Sequence, residues 1–201
     1  MIPDFPKIIA MAPGTGRTAA LAQWVQGLYR NDRDRPVLVG GAAVELLTGG
    51  AYTTGDLDFV GSIGSAVTSS LKRAGFNREG RHWFHEEGRV FLEFPSAVLR
   101  AGEEARERVF GDCSVLIVTA EDLIVDRLTA WVHWQSALDG VNAYLLYRAV
   151  EAELDLRRLE SRASKENVQD ALISVRDLYT QYGGAVPEDE VVEAWAKKGS
   201  L

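Results

Sequence analysis

The sequence predicts an α/β half followed by a helical half, and three observations carry that expectation. Up to Thr119, short runs with strand character alternate with helical pieces. After Ala120 nearly every segment repeats its apolar residues at helical spacing. No internal repeat or low-complexity tract interrupts either half. At 201 residues, the chain fits one large domain or a main domain with a smaller one appended, and the change of pattern puts a boundary near residue 119.

The elements follow in order. Leu21, Trp24, Val25 and Leu28 give Thr18–Tyr29 a helical face, and the run Asn31-Asp-Arg-Asp-Arg-Pro36 ends it with charge and a proline. Val37-Leu-Val39 reads as a short strand that stops at a tight turn, Gly40-Gly41. Ala42–Leu47 supplies one or two helical turns, closed by Thr48-Gly49-Gly50. Asp56-Leu-Asp-Phe-Val60 alternates polar and apolar residues, as a half-buried strand does. Ile63, Val67, Leu71 and Ala74 mark another helix; His82–Glu86 and Arg89–Phe94 read as strands around Glu87-Gly88, and Ser114–Thr119 as one more. Thr119 is the expected N-cap of a helix bearing Leu123, Ile124, Leu128 and Trp131. Further helices are expected over about 139–153, 155–161, 165–182 and 188–198.

Composition excludes several classes. With 46% hydrophobic and 25% charged residues, the chain is not disordered. Its net charge of −7 means that any nucleic acid must be met by a local basic patch. The single Cys113 cannot form an internal disulfide, Met1–Lys7 has no signal-peptide character, and no apolar run is long enough for a membrane helix. A cytoplasmic protein without a membrane partner is expected.

The chemistry is carried by residues 37–60. Asp56 and Asp58 stand at i and i+2 of a strand, so both carboxylates leave the same face. Two such carboxylates repel one another, and a hard divalent cation relieves the repulsion. Gly40 and Gly41 let a polyphosphate approach main-chain N–H groups. A phosphate cradle followed by a metal-binding carboxylate pair suits chemistry on a nucleoside triphosphate.

The same stretch resembles the signature of the nucleotidyltransferase superfamily with the DNA polymerase beta-like fold: strand, Gly40-Gly41, spacer, and Asp56-Leu-Asp58 between apolar residues. It is most similar to the abortive-infection and toxin–antitoxin branch, in which Thr or Ser precedes the first Asp, as Thr53 and Thr54 do here. The resemblance implies an α/β (α+β) core with a mixed sheet over residues 1–119 and a C-terminal helical bundle over 120–201. It also implies a third carboxylate, matched by Glu93. A basic phosphate contact falls at Arg127, with an Asp twelve positions later at Asp139. Trp134 and Leu138 stand where that branch often carries basic residues.

On this reading Asp56, Asp58 and Glu93 are catalytic and bind Mg²⁺, or Mn²⁺ in its place. Gly40, Gly41, Thr53, Thr54, Arg127 and Asp139 bind the nucleotide. The expected reaction moves an NMP from an NTP to an acceptor hydroxyl on tRNA, protein or a small molecule, with an antitoxin or other protein as a partner. Two rival readings stand beside it: a catalytically inactive fold acting as an antitoxin-like partner module, and a HEPN-like ribonuclease using Arg127 and His133.

Weaker signals favour plain structural roles. Ala12-Pro-Gly-Thr-Gly-Arg-Thr18 echoes a Walker A loop but has Met11 and Arg17 where Gly and Lys belong, so a glycine-rich lead-in to a helix is expected. His82 and His85 fall on opposite faces of a strand and make poor joint zinc ligands with Cys113. Trp131, Trp134 and Trp195 are expected in a core, and Arg157, Arg158, Arg162 and Lys165 on a solvated helix face.

Overall fold

The computed structural model describes residues 4–185 and 187–199; residues 1–3, part of the opening segment read for a leader, lie outside these. The chain divides into two compact units, Met1–Val118 and Thr119–Leu201. The first is α/β. It contains helices α1 (Phe5–Ile9), α2 (Thr15–Gly27), α3 (Gly40–Leu47) and α4 (Ser65–Arg73). Its strands are β1 (Val37–Val39), β2 (Asp56–Val60), β3 (Asn77–Glu79), β4 (His82–His85), β5 (Val90–Ser96), β6 (Ala105–Phe110) and β7 (Cys113–Val118). They form one seven-stranded sheet among the described residues, in the order β3-β4-β5-β2-β1-β7-β6. The sheet is mixed: β2 with β5 and β1 with β7 are parallel, and the other neighbouring pairs are antiparallel.

The alternation in β2 decides the two faces of the sheet. Leu57 and Phe59 are buried, while Asp56 is exposed and Asp58 half-buried. In β5 the buried set is Val90, Leu92 and Phe94, and the Phe59 and Phe94 rings stack at 5.6 Å. Helices cover that apolar face. Phe5 of α1, Trp24 of α2, Phe76 beyond α4 and His85 of β4 form one ring cluster with centroids 4.4–5.9 Å apart. His85 is therefore an aromatic of the core, its Nδ1 accepting the Gly88 N–H, while His82 on the opposite face is exposed.

Gln26 completes the sheet where β1 is too short to do so. Its amide, 2% exposed, donates to the carbonyls of Pro36 and Leu116 and accepts the Leu116 N–H. The side chain thus supplies β7 with the pairing that a longer β1 would give.

Two strands, β3 and β6, go beyond the sequence expectation. Both are edge strands of charged residues: Asn77-Arg-Glu79 is exposed throughout, and Arg106, Glu107 and Val109 are exposed in β6. An edge strand without a buried face has no apolar alternation to read, and charge there blocks unwanted pairing.

The second unit consists of α5 (Ala120–His133), α6 (Ala137–Val150), α7 (Leu156–Lys165), α8 (Gln169–Gln181) and α9 (Asp189–Gly199), with a short 3₁₀ turn at Glu151–Glu153. Thr119 caps α5 as expected, accepting the Asp122 N–H. Trp131 fills the interior, its indole N–H donating to the Ala196 carbonyl and its ring 4.6 Å from that of Trp195. Gly140 lets it in: a Cβ there would stand 2.8 Å from the indole. No described helix is long and apolar enough to cross a membrane.

Three expectations for this half are corrected. The helix expected over 165–182 breaks, because Asn167 takes φ +59° and Val168 is buried between α7 and α8. Trp134 is 80% exposed after the end of α5, so it is not part of a core. Arg158 and Arg162 do not form a solvated stripe. Asp122 is fully buried and takes the Arg162 Nε at 2.8 Å and also the Arg158 guanidinium, while Thr119 Oγ1 donates to it at 2.7 Å.

Gln26→Ala leaves buried donors and acceptors of two chain segments unpaired, so it should lower unfolding stability by about 3 kcal/mol, read as a urea midpoint shift at unchanged slope. Asp122→Ala should cost about 3–5 kcal/mol in the same measurement, because two partly buried guanidiniums lose their carboxylate.

Candidate functional site

The first unit brings together most of the residues singled out in it. β2 and β5 run parallel with Asp58 directly opposite Glu93 and Asp56 opposite Phe91. Residues opposite one another share a face, so Asp56, Asp58 and Glu93 all leave the face that the helices do not cover. Adjacent strands stand about 4.8 Å apart, which puts the Asp58 and Glu93 backbones at that separation. Beyond Asp58 the register slips by one residue, to Val60 opposite Ser96, and Pro95 sits in the slip past the end of the β4 pairing.

Gly40 shapes the other side of Asp58. The expected turn at Gly40-Gly41 is instead the first residues of α3, entered with φ +65° at Gly40. A Cβ at Gly40 would lie 2.3 Å from Asp58 Oδ2, so the carboxylate rests against bare backbone at the start of a helix. At Gly41 a Cβ would lie 3.1 Å from Thr54 Oγ1, which brings the 53–55 loop close as well.

That loop is fixed by a residue the sequence reading missed. Glu45, 1% exposed on α3, accepts Thr18 Oγ1 at 2.7 Å through one oxygen and the Thr54 N–H at 3.1 Å through the other. Thr54 Oγ1 in turn accepts the Asp56 N–H at 3.3 Å. A chain of hydrogen bonds therefore runs from α2 through α3 to the first residue of β2. The only sequence signal was an acidic residue within the apolar run Ala42–Leu47. Thr53 is exposed and, with Thr54, Arg17 and Arg89, lines a cavity of about 370 Å³. The loop before α2, read as a Walker echo, meets the same cavity through Pro13 and Gly14, and Arg17 donates to the Gly88 carbonyl.

Glu93 is engaged from β4 and the turn before it. Arg81 Nε stands 2.7 Å from its Oε1, and His82 Nδ1 3.5 Å from Oε2. Among the described residues no group of three or more His, Cys, Asp and Glu side chains converges to hold a metal ion. The donor chemistry of Asp56 and Asp58 still suits a hard cation, and the missing Cβ of Gly40 is what lets the Asp58 carboxylate lie against the start of α3. Cys113 does not join these residues. Burial, and then the charge of Asp112, push its thiol pKa up, away from the thiolate that metals and electrophiles require.

Arg127 and Asp139 belong to the second unit, where the sequence spacing proves to be an ion pair: Arg127 Nη1 lies 2.6 Å from Asp139 Oδ1, and Asp126 holds the other end of the guanidinium. His133 is exposed, 3.4 Å from the Glu166 carbonyl. Six residues along a helix separate Arg127 and His133 by about 9 Å of rise and about 120° of rotation, so α5 does not converge them.

Gly40→Ala should lower stability by roughly 1–3 kcal/mol, since it combines a disfavoured φ with a clash on Asp58. Gly41→Ala, with ordinary φ and Thr54 able to give slightly, should cost less than half as much; thermal denaturation of both variants checks the order. Compared with known proteins, the chain matches no family model, no curated protein and no solved structure.

Proposed function

We propose that the protein is a Mg²⁺-dependent nucleotidyltransferase that moves an NMP from an NTP to an acceptor hydroxyl. The observation that carries the reading is the register of β2 against β5: Asp58 faces Glu93 directly, Asp56 shares their face, and Gly40 brings the start of α3 against Asp58. Carboxylates on a strand beside helix N–H groups are the two halves that triphosphate chemistry needs, one for the cation and one for the anion.

Asp56 and Asp58 hold the Mg²⁺ in this reading, and the ion, when bound, offsets the charge of the phosphates. The amides of Gly40 and Gly41 orient the triphosphate at the α3 N-terminus, where the helix dipole favours an anion. Glu93 leaves Arg81 and accepts the proton of the acceptor hydroxyl. The acceptor oxygen then bonds to the α-phosphorus, the bond from that phosphorus to the β-phosphate oxygen breaks, and pyrophosphate departs. Arg81, released from Glu93, stays beside the face as a counter-charge. Glu45 acts at one remove: by fixing Thr54 it fixes the entry of Asp56 into β2. The proposal is confined to groups of the first unit.

With Mg²⁺ and an NTP present, the melting temperature should rise, because ligands that bind the native state stabilise it by mass action. Asp56→Ala/Asp58→Ala should remove the increment, read against that variant's own ligand-free melting temperature. An undiminished increment in that double variant would take the site away from these residues.

The reaction itself is tested by incubating cell extract with each α-³²P-labelled NTP, Mg²⁺ and the protein. Label should pass to one macromolecule or metabolite, and Glu93→Gln should slow the transfer at least about a hundredfold with little change in NTP binding. Absence of transfer with every NTP would favour the inactive partner module. RNA cleavage in EDTA, lost in His133→Ala, would favour the ribonuclease.

A further inference from the structure

A second cavity, of about 620 Å³, opens in the first unit where Val60 ends β2 and Ala97–Leu99 follow β5. These are the carboxyl ends of a parallel strand pair, the place at which open α/β sheets characteristically receive ligands. Its volume is within the range of sites for small organic molecules. Two further observations converge on it.

The first is charge. Arg30, Arg33 and Arg35 line the cavity against a single carboxylate, Asp34, in a chain whose net charge is −7. Arg35 is committed to Asp32 and Glu107. Arg30 and Arg33 are exposed and make no ion pair among the described residues. The second is the start of α4. Gly64 holds the N-cap position with no side-chain cap, the first turn has no acidic residue, and Gly64, Ala66 and Val67 line the cavity. The first N–H groups of a helix without a cap attract an anion. Tyr29 also lines the cavity. The remaining wall is mainly apolar, with Leu28, Val60, Val67 and Leu99 beside the polar Asn31 and Ser62.

We infer that this cavity binds an organic phosphate of mononucleotide size. The phosphate sits on the α4 N-terminus with Arg30 and Arg33 around it, and the ring lies on the apolar wall of Val60, Val67 and Leu99. The lining has no second carboxylate, thiol or imidazole, so it is a binding site without reacting groups. The inference goes beyond the transferase reading and does not rest on it.

Gly64→Asp gives a clean test. Gly64 has an ordinary φ of −80° and open space where a Cβ would go, so Asp fits. As an N-cap residue it should hold or raise the melting temperature while its charge repels an anion. AMP and inorganic phosphate are titrated in EDTA into the ¹⁵N-labelled full chain, with amide shifts recorded. AMP should move Ser65–Val67 and Tyr29 saturably, and phosphate should move Ser65–Val67 more weakly. Gly64→Asp and Arg30→Ala/Arg33→Ala should each weaken AMP at least about tenfold. Asp58→Asn should leave AMP affinity unchanged, so that failure here is separable from failure of the transferase reading. The inference is overturned by shifts confined to residues 40–41 and 56–58, by none at about 10 mM AMP, or by full affinity in a stably folded Gly64→Asp.

Discussion

The first unit depends on one constraint: β2 lies inside a sheet yet alternates carboxylates with large apolar side chains. Leu57 and Phe59 require a covered face, and Asp56 and Asp58 require the other face to remain accessible or compensated. The fold meets both demands by placing the ring cluster of Phe5, Trp24 and Phe76 over the apolar side. Neighbouring strands obey the same division, with Leu38 beside Phe59 on one face and Glu93 beside Asp58 on the other. A one-residue slip of β2 would bury both aspartates and expose Phe59, so the register is strongly specified.

Polar groups inside the unit hold the connections that the apolar core does not. Glu45 is a buried carboxylate among alanines, valine and leucines of α3, tolerated because both its oxygens accept hydrogen bonds. It ties α2 to the loop that feeds β2, just as Gln26 ties α2 to Pro36 and β7. These two side chains do in the interior what backbone pairing does along a strand. Each has one correct arrangement, and that fixes where Asp56 enters the sheet relative to Gly40.

The second unit uses a different arrangement. Its helices are joined by Asp122, which gathers Arg158 and Arg162 from α7 while Thr119 Oγ1 donates to it at the start of α5. Desolvating those charges is costly, and the return is geometric, since a carboxylate with several directed donors admits one docking of α7 on α5. Trp131 adds the apolar counterpart, packed so closely on Gly140 that no larger residue fits there. The same economy explains Arg127 and Asp139: twelve residues apart in sequence, they meet because α6 returns beside α5.

Much of this was legible in the sequence wherever burial imposes a period. β1, β2, α3, α4 and the cap of α5 lie within a residue or two of their expected places, because alternation, apolar spacing and a capping threonine are local signals. Edge strands β3 and β6 were illegible, since neither face is buried, and Arg162 reads as solvated until Asp122 is placed 40 residues away in sequence. The same limit applies to the site. Sequence alone determined that Asp56 and Asp58 share a face and that Gly40 can approach something closely, because strand geometry and the missing Cβ are properties of single residues. Only the tertiary structure decided that Glu93 stands opposite Asp58, that Glu45 steers the loop before Asp56, and that Tyr29 and the start of α4 face one cavity. Those facts depend on which strands and helices become neighbours, and packing of the whole chain settles that choice.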